Sequence, residues 1–312
     1  MREKRFQNQV ATSGFTLPVA TFFTLLIWLA GDWDTTGHWI SLVVVGITAY
    51  ALIELNNAHA LLRIRSRLTG STFLVLTGSF TFLHNSPHVL VPAFCAVATY
   101  YLLFRSYQRP RPENAIFYAF AFTGIGSQFF PPMLYLVPTY YLAMLVQLRS
   151  FTLRTLLAGL LGLVIPYWCR GGVNFFMGRP DDLLPLLSSL TDLSLPQYPL
   201  PDSHRMAALG IVLLLAVTSS VHFLRTSYND KIRTRMFFFM LIIQAGVLTV
   251  LLLLQPQHFD TWIQLLIVTI APLTAHLFAL TGTRATNLYF CFILLLLTYL
   301  TLGNLWDGLW LF

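Results

Sequence analysis

The chain has 312 residues, 56% hydrophobic and only 10% charged, with 19 Lys and Arg against 12 Asp and Glu for a net charge of +7. Soluble globular domains carry about a quarter charged residues, so the composition excludes an ordinary soluble enzyme and describes an all-α polytopic membrane bundle, since a helix satisfies its own backbone in lipid. The basic excess has no soluble domain to sit on, which excludes a nucleic-acid partner, and Cys95, Cys169 and Cys291 lie in or beside apolar runs without CxxC or Cys/His spacing, supporting neither a disulfide framework nor a zinc site.

The opening MREKRFQNQ is basic and leads into an apolar run from Phe15 to Ala30. No small-residue cleavage site follows, so the run reads as an uncleaved first span. Helical crossings need roughly 17–25 apolar residues, and the sequence predicts about eleven, at 15–31, 39–57, 70–84, 88–104, 115–130, 132–148, 155–169, 206–224, 236–255, 261–280 and 285–303, in a single transmembrane domain over 1–312. Lys and Arg are retained on the cytoplasmic side. With the amino terminus inside and the carboxyl terminus outside, sixteen of the nineteen cations fall in cytoplasmic segments; Arg170, Arg179 and Arg205 are the exceptions. Most acids sort to the other face, with Glu3, Glu113 and Asp230 inside and Glu54 near a span end. A membrane is the expected location, with membrane lipids as partners.

The first break between apolar runs, GDWDTTGH, places Asp32, Asp34 and His38 in one short external loop. The external face also gains His84, His88, His204, His258 and Asp260, each within a few residues of a helix end. Carboxylates beside imidazoles at a bilayer rim can bind a divalent cation or pair as base and orienter; the plainer reading is that short external loops are polar because they are wet. Pro87 keeps His84 and His88 off one helical face, so no metal site is assigned to them.

In ELNNAHALLRIRSR (54–67), Glu54 and Asn57 share a helical face and lead into Arg63 and Arg67, an i,i+4 pair able to hold a lipid phosphate or to snorkel to headgroups. Next come two similar helix pairs, 76–106 and 122–150. Thr77-Gly78 and Leu90-Val91-Pro92 recur 46 residues on as Thr123-Gly124 and Leu136-Val137-Pro138, and Arg105-Ser106 recurs 44 residues on as Arg149-Ser150. Both pairs run out and back, so the repeat is parallel, and Gly/Pro-interrupted segments at matching places point to a site. The external loop 170–205 offers Asp181-Asp182 as the cap of a short amphipathic helix, Leu183 to Leu190, followed by Pro196, Pro199 and Pro201; it is long enough to roof the rim. Within the membrane, His222 and Gln244 stand out beside His276, four residues after Pro272. His276 reads as a satisfied histidine at a kink, or as part of a proton relay.

The stretch 113–168, with FFPP at Phe129 to Pro132, LRSFTLR at 148–154 and GLVIPYW at 162–168, resembles a family of uncharacterised multispanning inner-membrane proteins of Bacteroidota. More broadly, a first span, an acidic external loop and repeated helix pairs are similar to GT-C-type glycosyltransferases, which use polyprenyl-phosphate sugars outside the membrane. That resemblance implies Asp32 or Asp34 as the catalytic base; for such a transferase His258, Asp260, His84 and His88 are the expected substrate-binding residues at the same rim, and Arg170 or Arg179 the expected phosphate clamp. Those enzymes have a long first external loop; here it is short. The alternatives are a non-enzymatic scaffold or subunit of an envelope complex, with an envelope protein partner, and a transporter.

Overall fold

A computed structural model describes residues 5–30, 36–64, 66–178 and 202–305. Asp32, Asp34, Arg179 and the expected helix Leu183 to Leu190 lie outside the described residues. Among the described residues the chain forms α-helices and no strand. These are α1 (Phe6–Thr12), α2 (Thr16–Leu29), α3 (Thr36–His59), α4 (Leu68–Ser79), α5 (Pro87–Arg105), α6 (Glu113–Phe129), α7 (Val137–Val146), α8 (Leu153–Phe176), α9 (Ser203–Thr226), α10 (Ile232–Leu254), α11 (Phe259–Leu280) and α12 (Arg284–Leu305).

Among the described residues seven helices are long and apolar enough to cross a membrane, or eight if α1 and α2, bent by 94°, count as one span, against eleven predicted spans. The shortfall has a local cause. At Phe80 (ψ 85°) and Phe130 (ψ 87°) the backbone leaves the helical region, ending α4 and α6 before short 3-10 turns, Thr81–Leu83 and Pro131–Leu136. Both predicted repeat units therefore share the order helix, 3-10 turn, helix. Their ends also meet: Ser106 Oγ donates to Ser150 Oγ at 3.1 Å, and the Gln108 amide donates to the Leu148 carbonyl at 3.1 Å.

The bundle is built around α11, buried at every position from Thr261 to Ala279. It packs against α4, α5, α9 and α10, and its end receives α1. A helix enclosed on all sides must be apolar all round or find partners for its polar groups. Gln264 Nε2 meets Thr77 Oγ1 at 3.4 Å, Thr269 Oγ1 lies 3.0 Å from the Tyr100 hydroxyl, and His276 reaches Asp230. α8 sits at the periphery, with Leu161, Val164 and Trp168 exposed. It is held to α6 through glycines, the close approach that lipid-embedded helices use: a Cβ at Gly124 would stand 2.7 Å from the Leu163 carbonyl oxygen, and one at Gly162 would collide with the Phe117 carbonyl.

Alternating helices give the bundle two polar ends. One gathers the start of α1, the α3–α4, α5–α6 and α9–α10 connections and the end of α11, with Arg63, Arg105, Arg149, Arg225 and Arg233 among its cations. The other gathers the flanks of the α2–α3 loop, the turns at 80–87 and 130–136, and the start of α9 and α11.

Candidate functional site

At the second end, the flanks of the acidic loop are locked together. Trp28 Nε1 donates to the His38 carbonyl at 3.2 Å, and His38 Nε2 lies 3.0 Å from the Trp28 carbonyl. A carbonyl oxygen only accepts, so His38 carries its proton on Nε2 and donates. His84 stacks on Trp28 with ring centroids 3.7 Å apart and donates from Nε2 to the Gly78 carbonyl at 3.1 Å. Gly37 lets the start of α3 approach this turn, since a Cβ there would be 2.9 Å from Asn85 Oδ1. Both sides of residues 31–35 are thus braced by one aromatic cluster.

His84 is thus buried between Trp28 and the Gly78 carbonyl, where it braces the flanks of the loop. His88, in the first turn of α5, is exposed instead, so the two imidazoles do not converge. The 3-10 turn before α5 carries Phe82, and the Arg205 guanidinium lies 5.2 Å above its ring. Arg205 Nε and Nη2 donate to the two carboxylate oxygens of Asp260 at 2.9 and 3.1 Å, a bidentate fork with side-chain exposures of 37% and 27%. His258 packs edge-on against Phe130, which packs in turn on Trp262. Arg170 stands one turn beyond Tyr167, whose hydroxyl is 2.7 Å from Ser127 Oγ in the last turn of α6. The expected helper Asp260 is therefore tied to Arg205, a residue absent from the expected phosphate clamps.

The basic end holds a cluster that sequence reasoning missed. Asp230, 1% exposed, accepts from Arg63 Nε at 2.7 Å and from His276 Nε2 at 3.1 Å. His276 is enclosed by Phe223 and Phe238, with His222 6.1 Å away between ring centroids. Three distant segments share one buried carboxylate, which explains why no local pattern signals it. The sequence clue is that Asp230 is an acid among Arg225, Lys231, Arg233 and Arg235.

The same region corrects the expected Arg63 and Arg67 helical pair. α3 ends at His59, Ala60 takes a left-handed φ of 50°, and Asn56 Oδ1 accepts from the Leu62 amide at 3.2 Å, so residues 60–64 and 66–67 are not helical. Arg63 turns to Asp230, while Arg67 stands at the start of α4. His59 donates from Nε2 to the Tyr101 carbonyl at 3.0 Å and receives Arg233 Nη2 on Nδ1 at 3.3 Å, which fixes its tautomer.

Among the described residues no group of three His, Cys, Asp or Glu is placed to hold a metal ion, and the loop carboxylates expected to bind a divalent cation lie outside them. The fold defines an all-helical protein with several helices able to cross a membrane. No family model, no curated protein and no solved structure matches the chain.

Proposed function

We propose that this is a multi-pass protein of the bacterial inner membrane that transfers a group from a polyprenyl-phosphate-linked donor at its external face, in the manner of GT-C-type glycosyltransferases. Its amino terminus is cytoplasmic, its carboxyl terminus external, and its chain crosses or enters the membrane in eleven segments that include a parallel repeat of α4–α5 and α6–α7. The gathering of Arg105, Arg149, Arg225 and Arg233 at one end supports that orientation.

The observation that carries the reading is the external rim. The turn at 80–87 holds His84 under the flanks of the Asp32 and Asp34 loop and Phe82 under the Arg205–Asp260 pair, so the loop's two ends and an exposed cation share one support. In the proposed reaction a loop carboxylate takes the proton of the acceptor hydroxyl as its oxygen bonds to the sugar carbon. The bond from that carbon to the phosphate breaks, and Arg205, oriented by Asp260, faces the departing phosphate.

The test is transfer of a radiolabelled sugar from a polyprenyl-phosphate donor to an envelope lipid extract by the protein in proteoliposomes. Asp32→Asn combined with Asp34→Asn is expected to lower the rate by about a hundredfold or more, the scale of general-base catalysis. A scaffold would instead show no transfer by the native chain, together with full rescue of a deletion strain by the same double variant.

A further inference from the structure

A cavity of about 550 Å³ opens in the flank of the bundle. It lies where α1 bends 94° from α2, a bend tied by the Thr16 hydroxyl, which donates to the Val10 carbonyl. Val10, Val19, Val75 and Leu294 represent its apolar walls on α1, α2, α4 and α12. Phe15 and Val19, 77% and 64% exposed, line its outer side, so it opens sideways, toward lipid in a membrane. A smaller cavity of about 250 Å³ shares Phe23 and Thr298 with it and continues between α2 and α12 as far as Leu302.

The dimensions select the occupant. An engineered cavity of about 150 Å³ holds benzene, so by that ratio 550 Å³ has room for roughly twenty carbon atoms. From Phe290 to Leu302 the α12 wall rises roughly 18 Å at 1.5 Å per residue, slightly more than the ~15 Å depth of one leaflet. That is the shape of one extended hydrocarbon chain. Among the described residues no Asp or Glu lines the cleft, and at the basic end it is flanked by Arg5, next to the lining residue Phe6, and Arg67, next to the lining residue Leu68. Several buried polar atoms near this end lack a partner among the described residues, among them Nη1 of Arg5 and the hydroxyl of Thr274, a residue that lines the cavity. Hydrocarbon alone leaves both unsatisfied, whereas a phosphate and an ester oxygen at the head of the chain would satisfy them.

We infer that the cleft binds one anionic glycerophospholipid, with an acyl chain between α2, α4 and α12, an ester oxygen at Thr274 and its phosphate at Arg5 and Arg67. The site belongs to the leaflet at the basic end and is independent of the chemistry at the opposite rim.

The experiment places the full chain in nanodiscs with photoreactive-chain phosphatidic acid, photoreactive phosphatidylcholine or photoreactive prenyl phosphate, and maps the adducts by peptide mass spectrometry. Phosphatidic acid is expected to mark peptides containing 68–76 and 290–302 in preference to the exposed face of α8. Val75→Trp and, on the peripheral helix, Leu294→Trp each fill the cleft and lower that labelling about tenfold. Thr274→Val removes an unpaired buried hydroxyl, so the fold is retained or strengthened while labelling falls. Arg67→Glu abolishes the preference for phosphatidic acid over phosphatidylcholine. Even labelling of all lipid-facing helices, equal labelling by the zwitterionic probe, or preferential labelling of the cleft by prenyl phosphate would overturn the inference. None of these readings depends on sugar transfer.

Discussion

Asp230 illustrates how much one buried carboxylate can organise. Removing one member of a buried, hydrogen-bonded charge cluster strands the others, at about 3–5 kcal/mol where all are enclosed. Arg63 is 46% exposed and can turn to solvent, so Asp230→Ala should fall near the low end. The expected loss is about 3 kcal/mol, measured by thermal or denaturant unfolding in detergent. Asp230→Asn should recover part of it, because the amide oxygen still accepts from His276 Nε2. If Arg63→Ala were as damaging as Asp230→Ala, the exposed arginine rather than the buried histidine would carry the cluster. The Arg205–Asp260 fork is a different case, since both partners are accessible and exposed pairs contribute about 1 kcal/mol or less. Asp260→Asn should therefore leave the unfolding midpoint nearly unchanged, so that any effect on transfer reflects the site rather than the fold.

Helices were the legible part of this sequence, because the length and apolarity a crossing requires are written within each segment. Their interruptions were harder to read. The turns after Phe80 and Phe130 are signalled by Pro87, Pro131 and Pro132, yet nothing in ELNNAHALLRIRSR marks Ala60 as left-handed, so the i,i+4 spacing of Arg63 and Arg67 suggests a shared helical face that the chain does not form. Glycines show the same division between what a sequence lists and what packing uses. Gly162 touches the Phe117 carbonyl across the α6–α8 contact, whereas Gly172, on the same helix, has nothing within 4 Å of a built Cβ. Gly162→Val should push the helices apart and cost at least about 2 kcal/mol. Gly172→Ala should be neutral or stabilise by up to ~1 kcal/mol through helix propensity. Unfolding midpoints of the two variants, side by side, check this; equal effects would mean that Gly162 does not set the α6–α8 distance.

Across the whole molecule the polar groups divide between two ends, and their long-range pairing was out of reach of any local pattern. His84 meets Trp28 across 56 positions of chain, Asp260 meets Arg205 across 55, and Asp230 meets Arg63 across 167. The rim residues on described segments were legible as one face because alternating spans put them there; their partners were not, because these follow from which helices are neighbours. The proposed orientation makes the two ends chemically distinguishable. In a variant with Cys95, Cys169 and Cys291 replaced, a single cysteine at His88 or at Arg111, both exposed positions, reports one end each. An impermeant maleimide added to intact spheroplasts should modify the cysteine at 88 and spare the one at 111, with the pattern reversed in inverted vesicles. Reversal of both results would put the acidic loop in the cytosol, where a polyprenyl-linked donor on the external leaflet could not reach it. Labelling of both positions from one side would mean that α5 does not cross, and the division of charge would then reflect packing within the bundle rather than sidedness.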